Sequence, residues 1–351
     1  MPTSSDKLLR LLLRRGTLSR AELARAMRLS RPAVSVLVEN LLRQGILTER
    51  GCGASNGGKP PIILELVKSR FGAIGIDIGN ETLLRGVLCN AAGEPVSALE
   101  FPHDNTFESI AAETGRLARE LSERSTAPIA GIGVAVAGQV DYEANEVVYC
   151  KNFPLKGENL APRLEAALGV PVRLDNRARA AARREYYFGA AQNAEDFIFI
   201  SAERGIGTAI YLGGRLFTGR AGVAGEIRDL LIPAPDGTAM LPVEEAMSEK
   251  FLAGLPPEPA RSYLLDSAAY VITLLSNLLD PALIVLGGRF RDLGNGFAGE
   301  LAGRIGLEPR HRLEITLSQS GRDGAALGAA LDVVLQYQTD TTLNNFQGET
   351  K

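Results

Sequence analysis

The stretch that most constrains this chain runs from Thr17 to Pro60, TLSRAELARAMRLSRPAVSVLVENLLRQGILTERGCGASNGGKP. Ser19 followed three residues later by Glu22 is a capping box that opens a short helix, and Leu23 and Met27, four apart, give it an inward apolar face. Arg28 and Leu29 make a turn. Ser30 then caps a second helix, which carries Val34, Val36, Leu37, Leu41 and Leu42. Two short helices joined by a tight turn form a helix-turn-helix, whose second helix enters a DNA major groove N-terminus first. Arg31 and Ser35 stand on that leading turn, the first suited to a guanine edge and the second to a base or phosphate. Gly45 ends the helix, and Ile46–Arg50 pairs with Pro61–Glu65 as a hairpin whose tip is the Gly/Ser-rich stretch from Gly51 to Lys59. These features predict a winged helix-turn-helix over residues 1–70. Leu8, Leu11 and Leu12 supply the face of a preceding helix.

Three amphipathic helices without a nucleic-acid role would show the same periodicity. Charge separates the two readings. Residues 1–70 hold 13 Lys/Arg against 5 Asp/Glu, whereas the remainder holds 25 against 36, for a formal net charge of −3. A basic module on an acidic body is the electrostatic footprint of a nucleic-acid reader. Arg31 and Ser35 are therefore expected to read bases, with Arg20, Ser30 and Lys59 meeting phosphate or the minor groove. The N-terminus, MPTSSDKLLRLLLRR, is too interrupted by charge for a signal peptide, and no uninterrupted apolar run has membrane-spanning length. The cysteines Cys52, Cys89 and Cys150 are widely spaced, which fits a reduced, cytoplasmic protein.

From Phe71 onward the pattern changes to strands and glycine turns. Residues 71–103 predict three successive antiparallel strands, broken at Gly79-Asn80 and at Ala92-Gly93-Glu94. A helix follows over Phe107–Arg124, then a buried strand over Ala130–Gly138. Leu160–Leu168 is helical, Val170–Leu174 a strand and Arg177–Phe188 a helix. A second set begins with the strand Asp196–Ala202 and the turn Gly205–Gly207, followed by a strand pair across Gly213-Gly214. It continues through the helix Ala268–Leu279, the strand Ala282–Gly288 and a last helix, Ala325–Leu335. The polar residues from Gln336 to Lys351 read as a frayed tail. The body is thus two α/β halves, whose glycine turns and helix N-termini let backbone amides approach a small ligand.

The body resembles the ROK family of sugar kinases and repressors, members of the actin/hexokinase-like (ribonuclease H-like) superfamily. The residues that carry the likeness are Asp77-Ile78-Gly79, Gly131–Asp141 (GIGVAVAGQVD), Asn152–Gly157 (NFPLKG) and Pro171–Asn176 (PVRLDN). They continue with Gly205-Ile206-Gly207, Gly219–Glu226 (GRAGVAGE), Asp280-Pro281 and Ile284–Gly288 (IVLGG). The resemblance implies an α/β chain with a winged helix-turn-helix at 1–70, a first lobe at 71–180 and a second lobe at 181–335. The last helix would return to the first lobe, ahead of the tail at 336–351. It also implies that sugar hydroxyls are met by the Gly138 loop, Asn152, Asn176, Glu226 and Glu244.

Departures from the family pattern bear on activity. Kinases of the family carry Asn-Asp where this chain has Asn176-Arg177, and that Asp is their general base. A guanidinium cannot take up a proton at neutral pH. The neighbouring Asp175 lies on the opposite side of its strand. The first phosphate loop reads Gly79-Asn80-Glu81 in place of two glycines and Thr, which sets a carboxylate where phosphates would lie. The second has Arg204 where the family has Thr. The family's structural zinc needs a His at the position of Asp229 and a cysteine cluster, yet Leu230–Val243 contains no cysteine, and the chain's two histidines, His103 and His311, lie elsewhere. No metal, no cofactor and no enzymatic activity are expected.

Arg177 and Arg228 stand where the family lines its pocket with a carboxylate or glycine. They suggest an anionic sugar derivative, a sugar acid or sugar phosphate, bound through charge-assisted pairs. Alternatively Arg177 pairs internally with Glu226 or Asp229. The expectation is therefore a transcriptional regulator, most simply a repressor of carbohydrate genes. It would act as a homodimer or tetramer on palindromic double-stranded DNA, with a sugar or an anionic sugar as effector and no membrane partner. A sugar kinase with a DNA-binding arm, or a ligand-independent DNA-binding protein whose body only dimerises, are the alternatives.

Overall fold

The structure, a computed structural model, describes residues 3–52, 60–203, 205–305 and 312–348, with side chains through residue 341 apart from that of Cys52. The chain divides into two compact units. The first comprises Met1–Ala135, Phe153–Leu174 and Ala329–Lys351; the second comprises Val136–Asn152 and Asp175–Gly328. The division falls just before Asn176, and the second unit also takes in residues 136–152.

The N-terminal module begins with α1 (Ser4–Arg15), closed at its start by a capping box between Thr3 and Asp6. Leu8, Leu9, Leu12 and Leu13 form its buried face, while Leu11 lies only half-buried. The short strand β1 (Leu18–Ser19) leads into α2 (Arg20–Met27), then α3 (Arg31–Arg43), β2 (Leu47–Cys52) and β3 (Ile62–Leu66). The wing is antiparallel, with Leu47 opposite Leu66 and a bulge at Arg50. Strand β1 adds a third strand against β3, with Leu18 opposite Leu64. The sequence expectation differs at one point on α3. Val36 is 59% exposed, and Val38 fills the core instead. With Val34 and Leu41 fixed inward, the 3.6-residue period turns position 36 to solvent.

The body repeats one topology twice. In the first unit β4 (Gly72–Ile78), β5 (Leu83–Asn90) and β6 (Pro95–Pro102) form an antiparallel meander. After α4 (Phe107–Glu123) comes β7 (Ile129–Val136), which joins the sheet beside β4. A small hairpin, β8 (Gly138–Asp141) and β9 (Glu146–Cys150), leads to α5 (Leu160–Leu168) and β10 (Val172–Asn176), giving the strand order β10-β7-β4-β5-β6.

The second unit follows α6 (Arg177–Phe188) with its own meander, β11 (Phe197–Ala202), β12 (Ile206–Leu212) and β13 (Arg215–Phe217). A short hairpin, β14 (Leu231–Pro233) with β15 (Met240–Pro242), precedes α7 (Val243–Ala246), α8 (Glu249–Leu252) and α9 (Pro257–Leu279). Strand β16 (Leu283–Gly288) lies parallel to β11. Helices α10 (Arg289–Asp292) and α11 (Gly294–Arg304) then lead to β17 (Glu314–Leu317), parallel to β16. The order β13-β12-β11-β16-β17 matches that of the first sheet. Helix α9 is long and apolar enough to cross a membrane by length and composition, but Leu264, Leu265, Ala268, Ile272 and Leu275 place it in the core of this unit with Ile284 and Leu286.

The last helix, α12 (Gly324–Gly348), corrects the expectation of a frayed tail after Leu335. Tertiary contacts override the local polarity there. Tyr337 packs on Phe71 with ring centroids 4.5 Å apart, and the buried Gln338 amide donates to the Ala91 carbonyl at 2.9 Å.

Candidate functional site

On the N-terminal module the capping box is complete. The Glu22 amide donates to Ser19 Oγ at 3.3 Å, and the Ser19 amide donates to the Glu22 carboxylate at 2.7 Å. Those Ser19 contacts hold the Glu22 carboxyl below the usual carboxylate range. The turn residue Arg28 is left-handed, with φ 55° and ψ 41°. Ser30 caps α3, accepting from the Ala33 amide at 3.4 Å. Its hydroxyl proton stays available to an outside acceptor. Arg31 is exposed and Ser35 half-buried.

An open groove of about 520 Å³ is lined by Ala21, Ala24, Arg25, Arg28, Leu29 and Arg31. Arg25 and Arg28 were not singled out as DNA contacts by sequence reasoning, although their basic character and the turn at Arg28-Leu29 were visible there. Arg20 has a partner within the module. Its guanidinium pairs with Glu49 of the wing at 3.1 Å, which ties α2 to β2. Lys59 lies outside the described residues.

In the second unit, contacts join Asn176 to Gly138, and Tyr149 through Arg228 to Glu244. Asn176 both ends β10 and caps α6: its Oδ1 accepts from the Ala178 and Arg179 amides at 2.9 and 3.2 Å. Its Nδ2 donates to the Gly138 carbonyl at 2.8 Å. Gly138 must be glycine, because a Cβ there would stand 2.3 Å from the Tyr149 carbonyl oxygen.

Arg228 lies over the Tyr149 ring, 4.0 Å from its centroid, and its Nε donates to Asp229 at 3.1 Å. Burial works against the Arg228 charge, but its contacts with Tyr149 and Asp229 outweigh burial and raise its pKa. The Glu244 amide donates to the Arg228 carbonyl at 3.1 Å. The Glu244 carboxylate pairs with Lys151, next to Asn152, at 3.1 Å, and it packs so closely on Gly205 that a Cβ there would meet it at 2.6 Å. Glu226 is half-buried at the end of the Gly219–Gly225 loop.

Arg177 does not pair with Glu226 or Asp229. Its guanidinium is bonded to Glu203, in the turn between β11 and β12. Sequence reasoning missed this partner because the two residues lie 26 positions apart and only the strand order brings them together. Asp175 is engaged as well. It accepts from the Tyr142 hydroxyl at 2.5 Å and from Arg183 at 2.6 Å, and it is buried. Arg204 lies outside the described residues. In the first unit the Gly79–Thr82 loop is closed on itself, with Asn80 Oδ1 accepting from the Thr82 amide and hydroxyl at 2.9 and 3.0 Å.

Where the family likeness implies a zinc, the β14–β15 hairpin stands instead, pinned by the buried Ile232. Its tip is a turn in which Asp236 accepts from Thr238. Among the described residues no group of three or more His, Cys, Asp or Glu side chains is placed to hold a metal. Apolar side chains and a solvated carboxylate do not suit zinc, which takes thiolate or imidazole in a closed four-coordinate site.

Comparison with known proteins agrees with this geometry. Residues 73–238 match the model of the ROK family, and residues 7–54 match that of the MarR family. A putative xylose repressor of Caldicellulosiruptor sp. (strain Rt8B.4) is 26% identical, over 93% of this chain and 94% of that protein. A xylose repressor of Caldicellulosiruptor bescii is 32% identical over 60% of this chain, which spans 54% of that relative's length. Among solved structures, a ROK family transcriptional regulator homologous to the E. coli MLC protein shares the fold. Its TM-score is 0.77 at 20% identity, covering 96% of each chain. A ROK family glucokinase from Streptomyces griseus, in complex with glucose and AMPPNP, is 26% identical with a TM-score of 0.64, over 74% of this chain and 98% of that one. The similar proteins thus include both named repressors and kinases.

Proposed function

We propose that this chain, whose residues 73–238 match the ROK family and whose residues 7–54 match the MarR family, represses carbohydrate genes in response to a neutral sugar and transfers no phosphate. The observation that carries the last two points is the Arg177–Glu203 pair. It puts a guanidinium, which cannot act as a base, at the position of the kinases' general base, and it satisfies that guanidinium with an internal carboxylate.

Two further cations among the described residues have partners too: Arg228 pairs with Asp229, and Lys151 with Glu244. A cluster whose positive charges already have partners offers an anion little beyond what it would displace, whereas hydroxyls can be met by Asn176, Asn152 and Glu226. This supports a neutral sugar over a sugar acid or phosphate. On the DNA side, Arg31 and Ser35 read bases, and Arg25, Arg28, Ser30 and Lys59 meet phosphate. Arg20 acts by holding the wing. Binding two half-sites calls for a dimer or a higher oligomer on a palindromic operator.

The test has two parts. A thermal-shift panel of D-xylose, N-acetylglucosamine, glucose, a sugar acid, a sugar phosphate and ATP should give a shift with a neutral sugar alone. That sugar should then change affinity for an operator selected from random DNA by about 5- to 150-fold. Phosphorylated sugar formed from ATP, or operator affinity indifferent to every compound in the panel, would overturn the proposal.

A further inference from the structure

Arg179, on the first turn of α6, is 2% exposed and touches no candidate ligand position with its guanidinium. That guanidinium donates in two directions. Nη1 reaches the Tyr142 hydroxyl at 3.1 Å, while Nη2 reaches the carbonyls of Gly222 and Ala224 at 2.6 and 3.2 Å. Tyr142 lies in the β8–β9 turn, and Gly222 and Ala224 lie in the glycine loop that ends in Glu226. The Arg179 amide is itself capped by Asn176, which in turn holds Gly138. One side chain therefore ties together the three segments that carry Gly138, Asn176 and Glu226.

The loop has reason to need such a tie. Gly219, Gly222 and Gly225 have φ of 71°, 70° and 88°, a region that glycine enters freely and from which it also escapes freely. Its own backbone bonds, from the Ala224 amide to the Thr218 carbonyl at 3.1 Å and from the Glu226 amide to the Val223 carbonyl at 3.2 Å, fold it locally; the Arg179 bonds tie it to α6. Tyr142 transmits the tie to the strand layer. Burial and the neighbouring Asp175 push its hydroxyl pKa up, so it stays protonated, donates to Asp175 at 2.5 Å and accepts from Arg179 through a lone pair. The planar fork of arginine suits this work. A lysine would keep the charge, but one nitrogen cannot serve a hydroxyl and two carbonyls on diverging lines.

We infer that Arg179 is a positioning residue for the sugar site, holding the Gly219–Gly225 loop, and with it Glu226, in binding register beside Asn176. This rests on the sugar-sensing reading above, so its test needs one readout independent of any sugar. The full-length Arg179→Lys variant is compared with the wild type by amide hydrogen exchange without ligand. D-xylose affinity is then measured by calorimetry, with N-acetylglucosamine or glucose as the probe if the wild type binds one of those instead.

Exchange over residues 222–226 should quicken by about tenfold or more while α4 is unchanged, and sugar affinity should fall by about ten- to a hundredfold. Tyr142→Phe leaves both loop carbonyls bonded and should lose no more than about tenfold. Adding it to Arg179→Lys should cost less than the sum of the two losses, because they share the Arg179–Tyr142 bond, while the Tyr142 bond to Asp175 is lost separately. Unchanged loop exchange in Arg179→Lys overturns the inference. So does a loosened loop that binds sugar with wild-type affinity, and so does full additivity of the two substitutions. If the wild type binds none of the three sugars, the sugar-sensing reading fails, and the exchange data alone decide whether the loop is clamped.

Discussion

Replacing Asp175 with asparagine removes one charge from the most deeply buried ion pair described in this chain. The Asp175 and Arg183 side chains are 3% and 9% exposed, and Oδ2 stands 2.6 Å from the guanidinium. Asparagine keeps an oxygen for the Tyr142 hydroxyl and the Asn176 amide, so the loss falls on Arg183. That guanidinium keeps the Gly328 carbonyl at 3.1 Å but loses its carboxylate. Breaking a buried pair from one side costs about 3–5 kcal/mol, a large share of the stability of any domain.

The assay is urea unfolding followed by far-UV circular dichroism, because the chain contains no tryptophan. Adding Arg183→Leu to Asp175→Asn should recover well over half of the loss. With both charges gone, the bond to the Gly328 carbonyl is still missing, about 1 kcal/mol. A single-variant loss below about 1 kcal/mol, the size seen for exposed pairs, would refute the buried-pair reasoning. So would a double variant no more stable than Asp175→Asn alone.

Other consequences can be checked separately. Glu22 has its carboxyl pKa held down in the folded state by the Ser19 contacts, so its contribution is present above the unfolded value and is lost as pH falls through the folded one. Wild type and Glu22→Gln should therefore differ in melting temperature at neutral pH and converge in acid; a gap that persists in acid would count against the cap. Ile232, 1% exposed, pins the β14–β15 hairpin, so Ile232→Ala should cost about 2–4 kcal/mol. EDTA should leave the melting temperature unchanged, and a fall on chelation would reveal a metal. Arg31→Ala should cost about 1–3 kcal/mol on the operator with relaxed specificity; equal losses on operator and random DNA would deny it a base-reading role.

How much of this was legible in the sequence depended on the range of the contact. The caps at Ser19 and Ser30 were readable because a cap and its amide lie three residues apart. The phase of α3 was readable only in part, since Val36 and Val38 are chemically equivalent and only packing distinguishes them. The strand sets were legible from their glycine turns, but β14 and β15, three residues each, are too short to show a period. At the site, Asn176 and Gly138 were visible through family likeness. Glu203, Tyr142 and the loop carbonyls under Arg179 were not, because their partners lie 26, 37 and 43 residues away. Those distances are closed by tertiary folding, through strand order for Glu203 and through loop and hairpin packing for the others. Gln338 read as solvent-facing for the same reason: nothing near it in sequence announces the Ala91 carbonyl.

Arg28 sits at the turn of the helix-turn-helix with φ 55°, a backbone state that costs a residue bearing a Cβ about 1 kcal/mol and that glycine adopts freely. Its side chain lines the groove shared with Arg25 and Arg31. A screen that rewards thermal stability alone would drift toward glycine at this position, and a screen that rewards operator binding would restore arginine. The turn thus sets two effects against each other at one position: glycine would relax the backbone, and arginine keeps a cation in the groove.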